Sequence, residues 1–386
     1  MKLKLSLLTF FFVSLSFAFQ FQLSEDSEVS ILTFGPGSSL NDAFGHNAFR
    51  IKDNTKGIDL VYGYGQYDFD APNFYLKFAR GKLNYLISRH YYSDILNYYS
   101  SVDRTIKEQV LNFSKLEKQR LFNFLENNYK PENRKYLYDF FYDNCATKIR
   151  DVSNSVTDNS ILYNTPPNFE PKTFRQLIYE HVDKNSWGSF GIDLALGSVV
   201  DRTATANEYM FLPKYIYSFF EVSKRKDNSE LVKSSKVIYE KREENSSNFL
   251  YSPLLIFGLV SLVILFITYK DFKNTKRTKW LDTILFSITA LVGIVLLFLW
   301  FGTNHTATWQ NYNLLWAFPL NILITVQLMK KEPKKWLRSY LKFLVIMLSL
   351  LTLHWIIGVQ IFAIALIPIL VALVVRYYFL IYHLKN

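Results

Sequence analysis

The stretch Tyr-Asp-Asn-Cys-Ala-Thr-Lys-Ile-Arg-Asp, residues 142–151, holds the only cysteine of this 386-residue chain. Cys145 cannot form an intrachain disulfide, and an unpaired thiol outside the cytoplasm is exposed to oxidation, so its presence predicts a nucleophile. Asn144 is a good N-cap residue, which predicts a helix from Cys145 to about Ser153. Because a helix N-terminus favours an anion, we expect a lowered thiol pKa there.

The alternative for this cysteine is a buried structural thiol, the usual fate of a free cysteine. Its neighbours Asp143, Asn144, Thr147 and Lys148 are unusually polar for a packing residue, and they favour the catalytic interpretation.

A histidine upstream supplies the matching base. His46 lies in Ala-Phe-Gly-His-Asn-Ala-Phe-Arg-Ile, residues 43–51, and we predict that it takes the thiol proton. Alone, it would be read as an ordinary core or surface histidine, and its separation from Cys145 is a weak signal. The backbone N–H of Cys145 would help to hold an oxyanion. Further candidates for orienting the imidazole or holding the oxyanion are Asn47, Asn144, Asp59 and Tyr62.

The start of the chain predicts export. Lys2 and Lys4 precede an apolar run from Leu5 to Phe17, and Ala18 offers a cleavage point, so residues 1–18 are typical of a secretory signal peptide. The alternative is an uncleaved anchor, because the apolar character continues to Leu23. Either interpretation exports the domain that follows.

Composition then divides the chain. Residues 24–222 are mixed and predict a soluble α+β domain, with strands at 29–34, 47–52 and 58–64 and a capped helix at 115–129. Residues 223–251 predict a charged linker. Residues 252–386 predict an all-α transmembrane domain, because apolar runs of about 20 residues can cross a bilayer. Five such helices are expected, near 252–269, 281–301, 312–329, 339–356 and 359–382.

Basic residues set the orientation. The first and third loops between the predicted helices hold ten of them, whereas the second loop, 302–311, has none. The positive-inside rule therefore predicts an inner-membrane protein with its N-terminal domain in the periplasm and its C-terminus in the cytoplasm. After Asp271 and Glu332 are subtracted, these two loops carry +8 of the net charge of +11. The charge thus reflects topology, and we expect no nucleic-acid partner. The other histidines lack metal-ligand spacing, so neither a metal nor a cofactor is expected.

The uncharged loop opens on the same side as the soluble domain. We expect His305, Asn311 and Asn313 to form the floor of the site or to contact lipid head groups, the alternative being ordinary interfacial solvation. Arg80 and Arg202 are further candidates to face lipid.

Several long strings of the chain are distinctive. They are Phe-Gly-Pro-Gly-Ser-Ser-Leu-Asn-Asp-Ala-Phe-Gly-His-Asn (34–47), Tyr-Gly-Tyr-Gly-Gln-Tyr-Asp-Phe (62–69), Asp-Asn-Cys-Ala-Thr (143–147), Asp-Arg-Thr-Ala-Thr (201–205), Met-Phe-Leu-Pro (210–213) and the loop 305–318. Together they resemble the Lnb family, the lipoprotein N-acyltransferases of Bacteroidetes. The resemblance implies a circularly permuted papain-like fold, similar to NlpC and lecithin-retinol acyltransferase, in which Cys145 is acylated and His46 is its base.

The implied reaction takes an acyl chain from a membrane phospholipid and passes it, through a Cys145 thioester, to the α-amine of a diacylglyceryl-cysteine lipoprotein. The alternative is a membrane-anchored thiol hydrolase that cuts murein peptides or lipid esters. A non-enzymatic binding module is a third interpretation, which the presence of both Cys145 and His46 disfavours.

Overall fold

An antiparallel sheet organises the N-terminal domain. The computed structural model describes residues 21–242, 249–330 and 333–384, so the predicted signal peptide lies outside the described residues. The strands of this domain are β1 Glu28–Phe34, β2 His46–Asp53, β3 Ile58–Tyr67, β4 Asn84–Tyr91, β5 Ile106–Leu111, β6 Lys135–Leu137, β7 Ile161–Leu162, β8 Lys224–Arg225 and β9 Val232–Tyr239. Seven of them pair in the order β6-β4-β3-β2-β1-β5-β9, and β7 pairs with β8 separately.

Helices cover both faces of this sheet. They are α1 Phe74–Ala79, α2 Tyr92–Ser101, α3 Lys115–Tyr129, α4 Cys145–Val156, α5 Phe174–Ile178, α6 Trp187–Ala195 and α7 Pro213–Val222. On one face, α3 and α4 pack over the large core around Ile31, Phe49 and Ile149. On the other face, α2 covers Phe34 and Val61.

The predicted elements of this domain are confirmed where local signals were strong. The first three strands match the predicted ranges, and α3 begins after Ser114 with the reciprocal capping bonds expected from Ser114 and Glu117. The domain is therefore α+β, while the permuted papain-like assignment stays a prediction. Part of the predicted linker is folded, because β9 pairs with β5 at the edge of the sheet. The exposed polar side chains of β9 protect the sheet edge from pairing with another chain. The same side chains give the β9 sequence the composition of a linker.

Four helices of the C-terminal region are long and apolar enough to cross a membrane, within the described residues: α8 Pro253–Lys273, α9 Lys279–Phe301, α11 Trp336–Ile356 and α12 Leu366–His383. The segment predicted as a further span, 312–329, instead forms a 3₁₀ turn, Tyr312–Leu315, and the short helix α10, Asn321–Leu328. Eight residues extend only about 12 Å as a helix, less than the roughly 30 Å hydrocarbon layer. Five continuous spanning helices are therefore not confirmed.

The break in that segment has identifiable causes. Pro319 lacks an N–H and disfavours a helix through it. Gly293 of α9 lets the backbone of the segment approach closely, since a Cβ there would lie 2.0 Å from the Ala317 oxygen. Asn321 is buried and bonds to the hydroxyls of Thr289, at 2.9 Å, and Tyr340, at 2.7 Å. Packing and buried hydrogen bonds therefore hold a shape that hydropathy alone does not encode.

The two basic loops lie at the same end of the helical domain. The Lys279 ammonium donates to the Lys330 carbonyl oxygen at 3.3 Å, which places the start of α9 beside the end of α10. Nearby, Arg376 of α12 bonds to Asp271 and Asp282, each at 2.7 Å, and ties α8, α9 and α12 together. The uncharged loop lies at the opposite end, against the N-terminal domain.

Candidate active site

Cys145 is the first residue of α4, held in place by the cap before it. The side-chain oxygen of Asn144 accepts from the backbone N–H groups of Ala146, at 2.8 Å, and Thr147, at 2.9 Å. Its side-chain nitrogen donates to the carbonyls of Phe140 and Phe211. Because both protons of that amide are used within the protein, Asn144 positions the thiol and has no side-chain N–H left for an oxyanion.

His46 begins β2 and is brought to the same place. Its ring stacks on Phe34 with centroids 6.1 Å apart, and its Nε2 lies over Gly63, where a Cβ would approach it to 3.2 Å. The backbone N–H of the next residue, Asn47, acts to lower the pKa of the Cys145 thiol. His46 and Cys145 line one cavity, so the structure unites the two predicted catalytic residues.

Burial decides the charge state of this pair. Desolvation raises the pKa of the Cys145 thiol to about 11, although three backbone N–H groups and Arg104 act in the opposite direction. Desolvation, with a smaller contribution from Arg104, lowers the pKa of His46 to about 4. The expected lowering of the thiol pKa is therefore not found, because the cost of burying a thiolate exceeds the benefit of the helix N-terminus. The resting pair is a neutral thiol and a neutral imidazole.

The nominated orienting residues lie elsewhere. The Asp59 carboxylate makes two 2.7 Å bonds to Arg50, and the Tyr62 hydroxyl donates to Glu126 at 2.5 Å. The Asn47 side chain donates to the Thr33 hydroxyl at 2.9 Å. Among the described residues, none makes a hydrogen bond to the His46 ring.

Two residues that sequence reasoning missed stand close to the pair. The Ser88 hydroxyl donates to the Gly63 carbonyl at 3.2 Å, and it lies 3.4 Å from the same point above Gly63 that Nε2 approaches. Ser88 and the His46 ring therefore both lie against Gly63. Arg104 is 5% exposed and donates through Nε to the Gly35 carbonyl. Its Nη2 has no partner in the part of the chain that the structure describes.

The cavity around the pair has a volume of about 550 Å³, and both domains form its walls. Aromatic and aliphatic side chains dominate the lining, which suits an elongated apolar ligand. No group of three potential metal ligands occurs within residues 21–242, 249–330 and 333–384. The N-terminal domain contributes Tyr64, Tyr67, Phe78, Leu83, Tyr85, Phe140, Ile178 and Ile192, and the membrane region contributes Leu299 and residues 304–308.

Two family models match the chain, one in each of the domains that line the cavity. The Lnb N-terminal periplasmic domain matches residues 18–180, which contain His46 and Cys145. The Lnb transmembrane domain matches residues 243–386. The chain belongs to the Lnb family. Comparisons with curated proteins and with solved structures give no match. This Lnb-family protein is thus a membrane protein with a periplasmic N-terminal domain.

In this Lnb protein, the loop between α9 and α10 joins the two domains. His305 Nε2 lies 3.1 Å from the Phe78 carbonyl oxygen, and its side chain lines the cavity. Asn311 and Asn313 are 1% and 0% exposed, and their amides donate to backbone carbonyls at the end of α6. The structure thus places these asparagines in the domain interface and not on a lipid-facing surface.

The two nominated arginines occupy different positions. Arg80 is exposed, and its carbonyl accepts from the Asn304 N–H at 2.9 Å, so it stands where the domains meet. Arg202 pairs with Glu208 and lies over the Phe174 ring, outside the residues that line the cavity.

Proposed function

We propose that this protein is a lipoprotein N-acyltransferase that moves an acyl chain from a membrane phospholipid, through a Cys145 thioester, to the α-amine of diacylglyceryl-cysteine lipoproteins. Membership of the Lnb family suggests this role. The observation that carries it is one apolar cavity in which Cys145 and His46 lie and whose walls come from both the periplasmic and the membrane domain. A catalytic thiol with this access is suited to substrates that are held in the membrane.

The first half-reaction makes the thioester. The neutral His46 imidazole takes the Cys145 proton as the sulfur attacks the ester carbonyl of a phospholipid. The alcohol of the lysophospholipid leaves with the proton that His46 holds. The backbone N–H groups of Asn47, Cys145 and Ala146 and the Arg104 charge all act to lower the thiol pKa, so they favour the negative charge that develops on the sulfur.

The second half-reaction makes the amide. A free α-amine has a pKa of about 8, so part of it is already neutral at pH 7. The amine attacks the thioester carbonyl, His46 takes the proton that the amine loses, and the thiol leaves as Cys145 is reprotonated. His46 and Cys145 are both neutral again, as in the resting state.

We further propose that the chain crosses the inner membrane five times, with 312–330 as an irregular crossing and the C-terminus in the cytoplasm. The basic loops at one end of the domain and the periplasmic domain at the other support this topology. A reporter active only in the cytoplasm should be silent when fused after Asn304 and active after Lys334. Activity after Asn304 would refute the arrangement.

The test of the activity uses the full-length protein in phospholipid micelles with a diacylglyceryl lipopeptide. Cys145→Ser should abolish N-acylation, and His46→Ala should slow thioester formation by roughly 10²- to 10⁴-fold. Mass spectrometry would follow the acylated lipopeptide and a hydroxylamine-sensitive acyl adduct on the protein. Near-normal acylation by Cys145→Ser would refute the nucleophile, and free fatty acid without acylated lipopeptide would favour a hydrolase.

A further inference from the structure

An exposed aromatic surface stands beside the cavity. Tyr75 is 85% exposed and Phe69 is 73% exposed. The rings of this group pack against one another, as Phe69 does on Phe74 with centroids 5.1 Å apart, and against Tyr67, which lines the cavity. Soluble surfaces seldom expose contiguous aromatic side chains without a partner. We call this group the α1 patch, and its members are Phe69, Phe74, Tyr75, Leu76 and Phe78.

The α1 patch lies at the level where the membrane helices end. The loop after α9 bonds to it directly, through Asn304 N–H to the Arg80 carbonyl and His305 Nε2 to the Phe78 carbonyl. That loop follows α9, an apolar helix of 23 residues. The last residue of this helix, Phe301, is 74% exposed. Residues that contact this end of α9 therefore stand at the surface of the bilayer that α9 spans.

The α1 patch is also continuous with the cavity. Phe78 is 47% exposed and also lines the cavity, together with Leu83 and Tyr85. Lys77 and Lys82 lie beside it and outnumber the nearby carboxylates that have no lysine partner of their own, because Asp68 is paired with Lys135 at 3.1 Å and only Asp70 is left beside them. Lys77 and Lys82 can therefore interact with lipid phosphates next to the apolar opening of the cavity.

We propose that the α1 patch inserts into the periplasmic leaflet of the membrane and forms the lip over which an acyl chain of a phospholipid enters the cavity. This assignment rests on the proposed acyltransferase function, since it gives the route of the acyl donor. Tyr75 and Leu76 enter the leaflet, Lys77 and Lys82 meet head-group phosphates, and Phe78 forms the inner edge of the opening.

Insertion can be tested without any activity. In the Cys145→Ser background the chain has no other cysteine, so Tyr75→Cys can carry a single environment-sensitive fluorophore. The matched control is Leu116→Cys, because Leu116 is also exposed, at 60%. It lies near the start of β1, since Lys118 of the same helix bonds to the Ser27 carbonyl. His46 stands at the other end of that strand, beside Phe34.

The labelled proteins are reconstituted into vesicles with and without phospholipid brominated on its acyl chains. The label at position 75 should lose most of its emission to the bromines, and the label at position 116 should keep its emission. Equal, weak quenching at both positions would overturn insertion, whatever the activity of the protein.

The route is tested with Tyr75→Asp against Leu116→Asp, both with Cys145 intact. Tyr75→Asp should reduce acylation from vesicle phospholipid and leave acylation from a water-soluble short-chain ester unchanged, while Leu116→Asp alters neither. An equal loss with both donors would overturn the entry role of the α1 patch. Wild-type protein that acylates with neither donor would instead count against the proposed function, and the quenching result would still stand by itself.

Discussion

The contact between the two domains depends on a glycine at the end of α6, and an added methyl group there should undock them. A Cβ at Gly197 would lie 1.8 Å from the Trp309 carbonyl oxygen and 3.0 Å from the Gln310 carbonyl carbon. These are backbone atoms, which cannot rotate away as a side chain would. Gly197 has φ −84° and ψ −172°, an extended conformation that alanine adopts freely, so Gly197→Ala acts through this contact alone.

The magnitude follows from the geometry. Cβ contacts under 3.0 Å essentially do not occur, so the loop must retreat by about 1.2 Å. Two interdomain bonds, Gly197 N–H to the Ala307 oxygen and Ser198 N–H to the Gln310 oxygen, are 3.0 Å long and would stretch past the roughly 3.5 Å limit. At about 1 kcal/mol each, their loss costs about 2 kcal/mol, or roughly a 30-fold shift toward the undocked state.

The matched control is Gly191→Ala, in the helix α6 that precedes Gly197, where a Cβ would meet nothing within 4 Å. Hydrogen exchange should accelerate in residues 305–311 of Gly197→Ala, and lipopeptide acylation should fall, while Gly191→Ala behaves as the wild type. If the two variants exchange and acylate alike, the loop does not depend on this contact and the reasoning is wrong.

Three further predictions concern the catalytic pair. Gly63→Ala should slow thioester formation about tenfold without changing the melting temperature, because its Cβ displaces the His46 ring; an unchanged rate would show that the ring moves freely. The rate of Cys145 alkylation should rise about tenfold per pH unit from pH 7 to 9, because a pKa of about 11 leaves a thiolate fraction on the order of 10⁻⁴ at pH 7. A rate that does not change with pH would indicate a thiolate–imidazolium pair. Asn144→Asp keeps the oxygen that caps α4, so its free energy of unfolding should be about 1 kcal/mol higher than that of Asn144→Ala. Equal unfolding midpoints of the two variants would show that the Asn144 amide nitrogen, and not its oxygen, supplies the stability.

Local signals explain what the sequence predicted well. The reciprocal pair Ser114 and Glu117 marks the start of α3, and the amide of Asn144 marks the start of α4 with Cys145 as its first residue. Each signal involves residues within one turn of helix, so it can be read without knowing the rest of the fold.

Tertiary relations explain what could not be predicted. Ser88 and the His46 ring both approach Gly63 only because Gly63 pairs with Ala48 and Ser88 in the sheet, a register that no local motif announces. The thiol pKa depends on burial, which is decided by the walls of the cavity and outweighs the helix terminus that the sequence shows. Hydropathy likewise could not show that residues 312–329 are bent, because the polar partners of Asn321 come from other helices.

The wall that the membrane domain adds to the cavity bears on the choice between transferase and hydrolase. A thioester survives until an amine arrives only if water is kept from it, and residues 304–308 of the membrane domain form part of the wall beside Cys145. Undocking that wall should therefore change the product as well as the rate. Gly197→Ala should release a larger share of free fatty acid per thioester formed than Gly191→Ala, measured by mass spectrometry of both products. A lower rate with an unchanged product ratio would show that the membrane domain only positions the lipids, and that the N-terminal domain alone excludes water from the thioester.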